Sequence, residues 1–310
     1  MVLDLHVKNI SKIFGILVTF NPNIALLARQ LESSVHQLDF LCIIDNGSLN
    51  SDSICQELTS DDRFSKIELL RLPSNIGLAA AQNIGIMKAK ILLVTHVILF
   101  DQDSLLESGF IKGLLDCELS LINSKFPVAA VGPTFYDPET GLDYPATVYR
   151  GPFIQRTEFK ESDFLEATFI IASGCLIRLD ILESVGLMCE ELFVDYIDVE
   201  WSLRAKSQGL AVFITKNARM AHTVGDRRIK IAGRTISVHG PMRRYYLIRN
   251  SFMMLRKSYI PTGYKVREVV FNLLRFIIGF YQSKEKKLYL HYSYRGLKDG
   301  IKGQFGPYKD

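Results

Sequence analysis

Residues 91–104 read ILLVTHVILFDQDS. Ten mostly apolar residues stop abruptly on Asp101-Gln102-Asp103-Ser104. A continuous apolar run, as opposed to an alternating one, suits a strand covered on both faces of a parallel sheet. Three runs upstream have the same character: IFGILVT at 13–19, FLCIID at 40–45 and IELLRL at 67–72. Turn signals close them at Phe20-Asn21-Pro22, Asn46-Gly47-Ser48 and Pro73. Another short run follows at 128–131, and helical patterns fill 23–36, 51–58, 79–88 and 105–121. Strands alternating with helices predict an α/β fold, a doubly wound, mostly parallel sheet with helices on both faces. His96, inside the fourth strand, has no explanation at this level.

Beyond residue 135 the rhythm breaks. Residues 136–168 are polar and turn-rich, which predicts loops and a hairpin. Order resumes with a strand at 169–178, helices at 179–185 and 198–208, and a strand at 210–215. The expected organisation is a domain over 1–256, with a nucleotide-binding half near 1–135 and an acceptor half near 136–256. A basic amphipathic helical tail follows at 257–310. Residues 241–310 carry 15 Lys/Arg against 4 Asp/Glu, while the whole chain is only +4. Such asymmetry points to an anionic partner: nucleic acid, a membrane surface or a phosphate-rich ligand. Residues 266–281 form an apolar helical pattern, which suits either a membrane interface or packing on the domain.

At 48% hydrophobic and 23% charged, the 310 residues exclude a disordered or fibrous chain. Five scattered cysteines without a CxxC pair argue against a disulfide framework or zinc ribbon and for a reducing cytosol. Asp4 and His6 interrupt any secretory signal, and no apolar run reaches membrane-spanning length.

In open parallel sheets ligands bind beyond the carboxyl ends of the strands. Four such ends are polar here: Thr19 with Asn21, Asp45 to Ser48, Asn75 with Gly77, and Asp101 to Ser104. Asp101 and Asp103 would repel at a strand end unless a divalent cation joined them, and Mg²⁺ or Mn²⁺ takes hard oxygen ligands. The plainer alternative is a helix cap, with Ser104 as N-cap of the next helix. Asp45 suits a ribose hydroxyl or base imide, or an Asx turn before Gly47. Asp195, Asp198, Glu200 and Arg204 crowd a loop-to-helix boundary. Asp198 or Asp195 can serve as a general base or simply cap the helix, and Glu200 and Arg204 are spaced to pair. His222 suits a metal or a phosphate. Arg243, Arg244 and Arg249 suit a diphosphate or a solvated basic face.

TFNP (19–22), DNGS (45–48), NIGLAAAQNIGI (75–86), FDQDS (100–104), SGCLIR (173–178), FVDYIDVEWSLRAKSQG (193–209), HTVGD (222–226) and PMRRYYLIRN (241–250) stand in one order and spacing. Together they resemble the inverting GT-A glycosyltransferases of family two, within them the bacterial rhamnosyltransferase branch, over about residues 13–256. The resemblance implies that Asp45 contacts base or ribose. Asp101 and Asp103 match the DxD pair, with Asp103 the direct metal ligand. Asp198 matches the general base, and His222 a late metal or diphosphate contact. Thr19, Asn21, Asn75, Gly77, Asn83, Gln102, Gly174 and the three arginines are its further expected donor-site residues. Ile197 replaces the family motif's Glu, which leaves Asp195 a rival base.

The same resemblance implies inverting transfer from dTDP-L-rhamnose, with Mg²⁺ or Mn²⁺, to a polyprenyl-diphosphate-linked glycan. The setting would be the anionic cytoplasmic face of a bacterial inner membrane, in O-antigen or surface-polysaccharide synthesis, without a nucleic-acid partner. Alternatives are a UDP-hexose or UDP-galactofuranose donor, a nucleic-acid-binding module, and a non-enzymatic scaffold.

Overall fold

A computed structural model describes residues 11–59, 64–159, 162–221, 228–231, 234–237 and 240–309. The first four strands form where the sequence places them: β1 (Ile13–Thr19), β2 (Phe40–Asp45), β3 (Ile67–Arg71) and β4 (His96–Phe100). Their order is β3-β2-β1-β4, all parallel. Every residue of β1 and β4 is buried, as continuous apolar strands require. The register sets Thr19 level with Asp45, and Asp45 level with Arg71, so the polar strand ends form one rim.

Beyond β4 the sheet is mixed. β10 (Cys175–Arg178) inserts antiparallel between β4 and β6 (Val128–Tyr136). β11 (Ala211–Ala221) lies parallel to β6. β5 (Leu105–Leu106) and β9 (Phe164–Ala167) add antiparallel to β11. Helices cover both faces: α1 (Ile24–Ser34), α2 (Ser51–Thr59), α3 (Leu78–Ile91), α4 (Phe110–Asn123), α5 (Leu179–Val185) and α6 (Ile197–Ser207). Each face buries its own apolar cluster, one around Ile16, Ile44 and Leu99, the other around Leu17, Ile43 and Ile98. The alanines and glycine of α3 allow close approach to β1, and a Cβ on Gly85 would lie 2.5 Å from Ile16 Cγ2. All five cysteines are free.

The expected excursion after β6 contains a hairpin, β7 (Ala146–Arg150) with β8 (Phe153–Thr157). Three expectations shift. Residue 91 closes α3, so the fourth strand starts at His96. Leu105–Leu106 is a strand, and α4 begins only at Phe110, so Ser104 caps no helix and instead hydrogen-bonds Ser173 Oγ at 3.0 Å. The strand expected over 169–178 keeps only its last four residues.

His96 also finds its reason. Its ring bridges Thr95 Oγ1 and Glu118 Oε2, each at 2.8 Å, linking β4 to α4 beneath the sheet. Arg178 of β10 lies 3.6 Å from the same carboxylate.

The strand pair β12 (Arg228–Ile231) and β13 (Arg234–Ser237) precedes three helices, α7 (Pro241–Arg256), α8 (Thr262–Gln282) and α9 (Lys286–Lys302). α9 lies on α7: Tyr245 donates to Asp299 at 2.9 Å and Arg256 to the Gly300 carbonyl at 2.7 Å. α8 does two things. Its inner side buries Tyr264, Arg267 and Glu268, where Tyr196 donates to Glu268. Its outer side leaves Val269, Leu273 and Ile277 exposed. No described helix is long and apolar enough to cross a membrane.

Candidate functional site

The rim formed by the strand ends is stitched by its own polar side chains. Thr19 donates to Asp45 Oδ1 at 3.3 Å, and the Asn46 amide nitrogen reaches the Thr19 carbonyl at 2.8 Å. Asn21 sits in the left-handed region, φ 47°; its side chain accepts from Leu49 N at 2.8 Å and its own N–H donates to Ser48 Oγ. Asn46 donates to Asn75 Oδ1 at 3.0 Å, and the same oxygen accepts from Gly77 N. Gln102 accepts from Phe20 N at 2.9 Å, tying the end of β4 to that of β1. Asn21, Asn75 and Gln102 thus shape the crevice through their loops.

One atom on this rim stands out. Asp45 is buried, and among the described residues its Oδ2 has no hydrogen-bond partner. A buried carboxylate oxygen left without a donor is costly, so it favours a ligand that brings a hydroxyl or N–H. That is the chemistry expected of a ribose or base.

Asp101 and Asp103 follow β4 directly. The Asp101 amide is held by Ser173 Oγ at 3.1 Å, and Asp103 is exposed. Among the described residues no group of three or more His, Cys, Asp or Glu is placed to hold a metal. Two carboxylates fit Mg²⁺ or Mn²⁺ where waters and phosphate oxygens fill the other positions. His222 lies outside the described residues.

Facing this rim is the start of α6. Asp198 occupies its first turn, partly buried, with Oδ1 accepting from Val199 N at 2.8 Å. Burial pushes its carboxyl up to about 6, and the negative charges of Asp101 and Asp195 push the same way. A carboxylate so poised suits a general base near neutral pH.

The loop before α6 is strained. Phe193, Asp195 and Tyr196 hold φ of 64°, 63° and 65°, and none is glycine. Each left-handed residue costs roughly 1–2 kcal/mol. Several contacts fix this conformation. Asn250 Nδ2 donates to the carbonyls of Leu192, Val194 and Asp195 at 2.9, 2.7 and 3.3 Å. Phe193 stacks on Tyr246 with centroids 5.0 Å apart and planes 8° from parallel. Leu78 N, at the start of α3, donates to Phe193 O at 2.7 Å. Gly77 has φ +94°, and a Cβ there would lie 2.6 Å from the Phe193 ring. Gly77 therefore seats the loop.

Several expected site residues have other work. Arg243 grips Asp195 with Nε and Nη2, the latter at 2.9 Å from Oδ1, and both Asp195 oxygens accept. This pairing engages both oxygens of the rival base and one edge of the guanidinium expected to face a diphosphate. Arg249 is fully buried; it donates to Asn250 and to the Glu191, Leu192 and Gly306 carbonyls. Arg244 is buried too and donates to the Asn272 carbonyl at 2.7 Å. Both arginines are buried and bonded to backbone carbonyls, so neither belongs to a solvated face. Asn83 bonds Met188 N, Met188 O and Glu190 Oε1, so it ties α3 to the 186–190 loop instead of meeting a ligand. Gly174 makes a turn at φ +73°, and its N–H donates to Leu99 O at 2.7 Å. It shapes the backbone beneath Asp101. Glu200 and Arg204 do pair, at 3.0 Å.

Sequence reasoning missed Ser173, Phe193, Tyr246 and Asn250. The last two offered a signal: with Arg243 they recur at i, i+3 and i+7, one face of α7.

Comparison with known proteins bears on the family and the fold. The chain matches the family model for glycosyl transferase family 2 over residues 16–186. It is 34% identical to the dTDP-rhamnosyl transferase RfbF of Shigella flexneri, over 96% of this chain and 97% of that one. Its fold resembles a crystal structure of GalNAc-T7 with UDP, GalNAc and Mn²⁺, with TM-score 0.57 and 14% identity, covering 95% of this chain and 56% of that one. It also resembles Staphylococcus aureus TarS 1–349 in complex with UDP-GlcNAc, with TM-score 0.50 and 13% identity, covering 94% and 83%. The two structural likenesses speak for the GT-A fold; the sequence matches go further, and the chain belongs to glycosyl transferase family 2.

Proposed function

We propose that the protein transfers L-rhamnose from dTDP-L-rhamnose, with inversion, to a hydroxyl of a lipid-linked glycan in surface-polysaccharide synthesis. The observation that carries the transfer chemistry is Asp198, its carboxyl raised to about 6 at the start of α6 and electrostatically linked to Asp101 at the rim. The rhamnosyl donor is supported by sequence similarity to a dTDP-rhamnosyl transferase.

In this reading Asp45 Oδ2 receives a donor group of the nucleotide. Asp198 takes the proton of the acceptor hydroxyl. The freed oxygen attacks the anomeric carbon from the face opposite the nucleotide, and the bond to the diphosphate oxygen breaks with its electron pair. Asp101 and Asp103 would hold Mg²⁺ or Mn²⁺, with His222 a further candidate. Such an ion would neutralise charge on the diphosphate. Arg243 keeps Asp195 from drifting and so holds the loop that aims Asp198. The basic tail and the exposed outer side of α8 suit an anionic membrane surface and support a reaction at a cytoplasmic membrane face.

Calorimetric titration with dTDP-rhamnose, UDP-glucose, UDP-galactose and UDP-galactofuranose, each with and without Mn²⁺, tests the donor. Metal-dependent binding that favours dTDP-rhamnose is expected. Preference for a UDP-sugar would overturn the rhamnosyl reading.

A further inference from the structure

Between the β7–β8 hairpin and α8 lies a groove of about 1110 Å³. Its walls include Phe153 and Ile154 from the hairpin and Val270, Leu274 and Ile278 from α8. It exceeds the roughly 300–1,000 Å³ typical of small-ligand pockets. Asp195, Tyr196 and Val199, which flank Asp198 in the chain, also line it. The groove therefore adjoins the turn that carries the proposed base.

The groove is not only apolar. Arg267 lines it, 6% exposed, its guanidinium 4.0 Å from the Phe271 ring centroid and 4.7 Å from that of Tyr149. Its Nε is buried and, among the described residues, has no hydrogen-bond partner. The neighbouring Glu268 already accepts from Tyr196, Asn272 and Arg275. Arg156 stands at the exposed hairpin side of the same groove. A buried guanidinium with an open donor favours an anion, and phosphate oxygens meet it with charge-assisted bonds. Hydrocarbon walls beside a buried cation suit an amphiphile with an anionic head. Leu274, in the groove wall, is followed on α8 by Ile277 of the exposed outer side, so a lipid tail has an apolar path outward.

We infer that this groove binds the lipid end of the acceptor, a prenyl chain along the hairpin and α8 with its diphosphate at Arg267. The inference rests on the lipid-linked acceptor proposed above.

The test is photocrosslinking of the full chain with a diazirine-bearing farnesyl diphosphate, with crosslinked peptides mapped by mass spectrometry. Crosslinks should fall in 149–156 and 264–278, and geranylgeranyl diphosphate should compete where geranylgeraniol and pyrophosphate do not. Leu274→Glu and Arg267→Gln should each weaken labelling about tenfold or more with dTDP binding unchanged. Phe153→Asp, on the exposed hairpin, gives the same readout without touching a helix. Crosslinks elsewhere, full labelling of all three variants, or competition by pyrophosphate alone would overturn the inference. So would loss of labelling in Val269→Glu on the outer side equal to that in Leu274→Glu, which would mean adsorption to an apolar surface. The donor titrations are a separate readout: intact dTDP-rhamnose binding with no prenyl labelling overturns the groove alone, and labelling without donor binding overturns the transfer reading alone.

Discussion

Asn250 reaches from α7 to the carbonyl of Val194 at 2.7 Å, and the same amide nitrogen also serves the carbonyls of Leu192 and Asp195. One side chain thereby holds a loop in which three non-glycine residues adopt left-handed backbone. That loop delivers Asp198 to the rim.

Asn250→Ala takes this donor from the Val194 and Asp195 carbonyls, while the Leu192 carbonyl keeps Arg249. The expected cost is about 1–3 kcal/mol of stability. The turnover rate should fall by about tenfold or more while dTDP affinity stays near wild type, because the loop that aims the base relaxes but the strand-end rim does not. Differential scanning calorimetry and kinetics with donor titration check both parts.

Asp198 should leave a signature in stability. Its folded carboxyl titrates near 6, above its ordinary 3.8. Between these values the folded state holds a proton that the unfolded chain has lost. Stability therefore falls as pH rises through that window, and the full penalty of at most about 3 kcal/mol is present above pH 6. Asp198→Asn removes it, so the variant should melt higher than wild type at pH 7.5 and about equally at pH 4. In the wild type, kcat/KM should fall as pH drops through about 6.

Asp45→Ala removes the acceptor oxygen that lacks a partner. Nucleotide affinity should drop about tenfold or more, equivalent to one hydrogen bond to a charged group. Titration with dTDP alone reads this without needing an acceptor.

The His96–Glu118 pair should matter only for folding. His96→Leu alone leaves the buried Glu118 carboxylate with only Arg178, 3.6 Å away, and should cost about 1–3 kcal/mol, whereas the double change His96→Leu with Glu118→Leu should recover part of that loss. Donor affinity should be unchanged in both.

How much of this was legible in the sequence depends on range. The first four strands and their polar ends were readable because continuous apolar runs and turn residues act locally. The positions of Asp45, Asp101 and Asp198 were readable for the same reason, since each sits at the end of an element, while their expected roles came from the family resemblance. Antiparallel β10 was not, since four residues between a glycine turn and α5 carry no sign of direction. Arg249 illustrates the other limit. In the sequence it is one more arginine in a basic tail, and only folding shows it buried against the Leu192 carbonyl and the Tyr246 ring. His96 likewise needed Glu118, 22 residues away on another element.

The central claim is that Asp198 is the base. The measurement that tests it most directly compares Asp198→Asn with wild type for rhamnose transfer and, in parallel, for dTDP-rhamnose binding with Mn²⁺. Transfer should fall by about 10²–10⁴-fold, the share a positioned base contributes, while donor affinity stays within about twofold. Transfer at the wild-type rate, or donor affinity lost in step with it, would contradict the assignment.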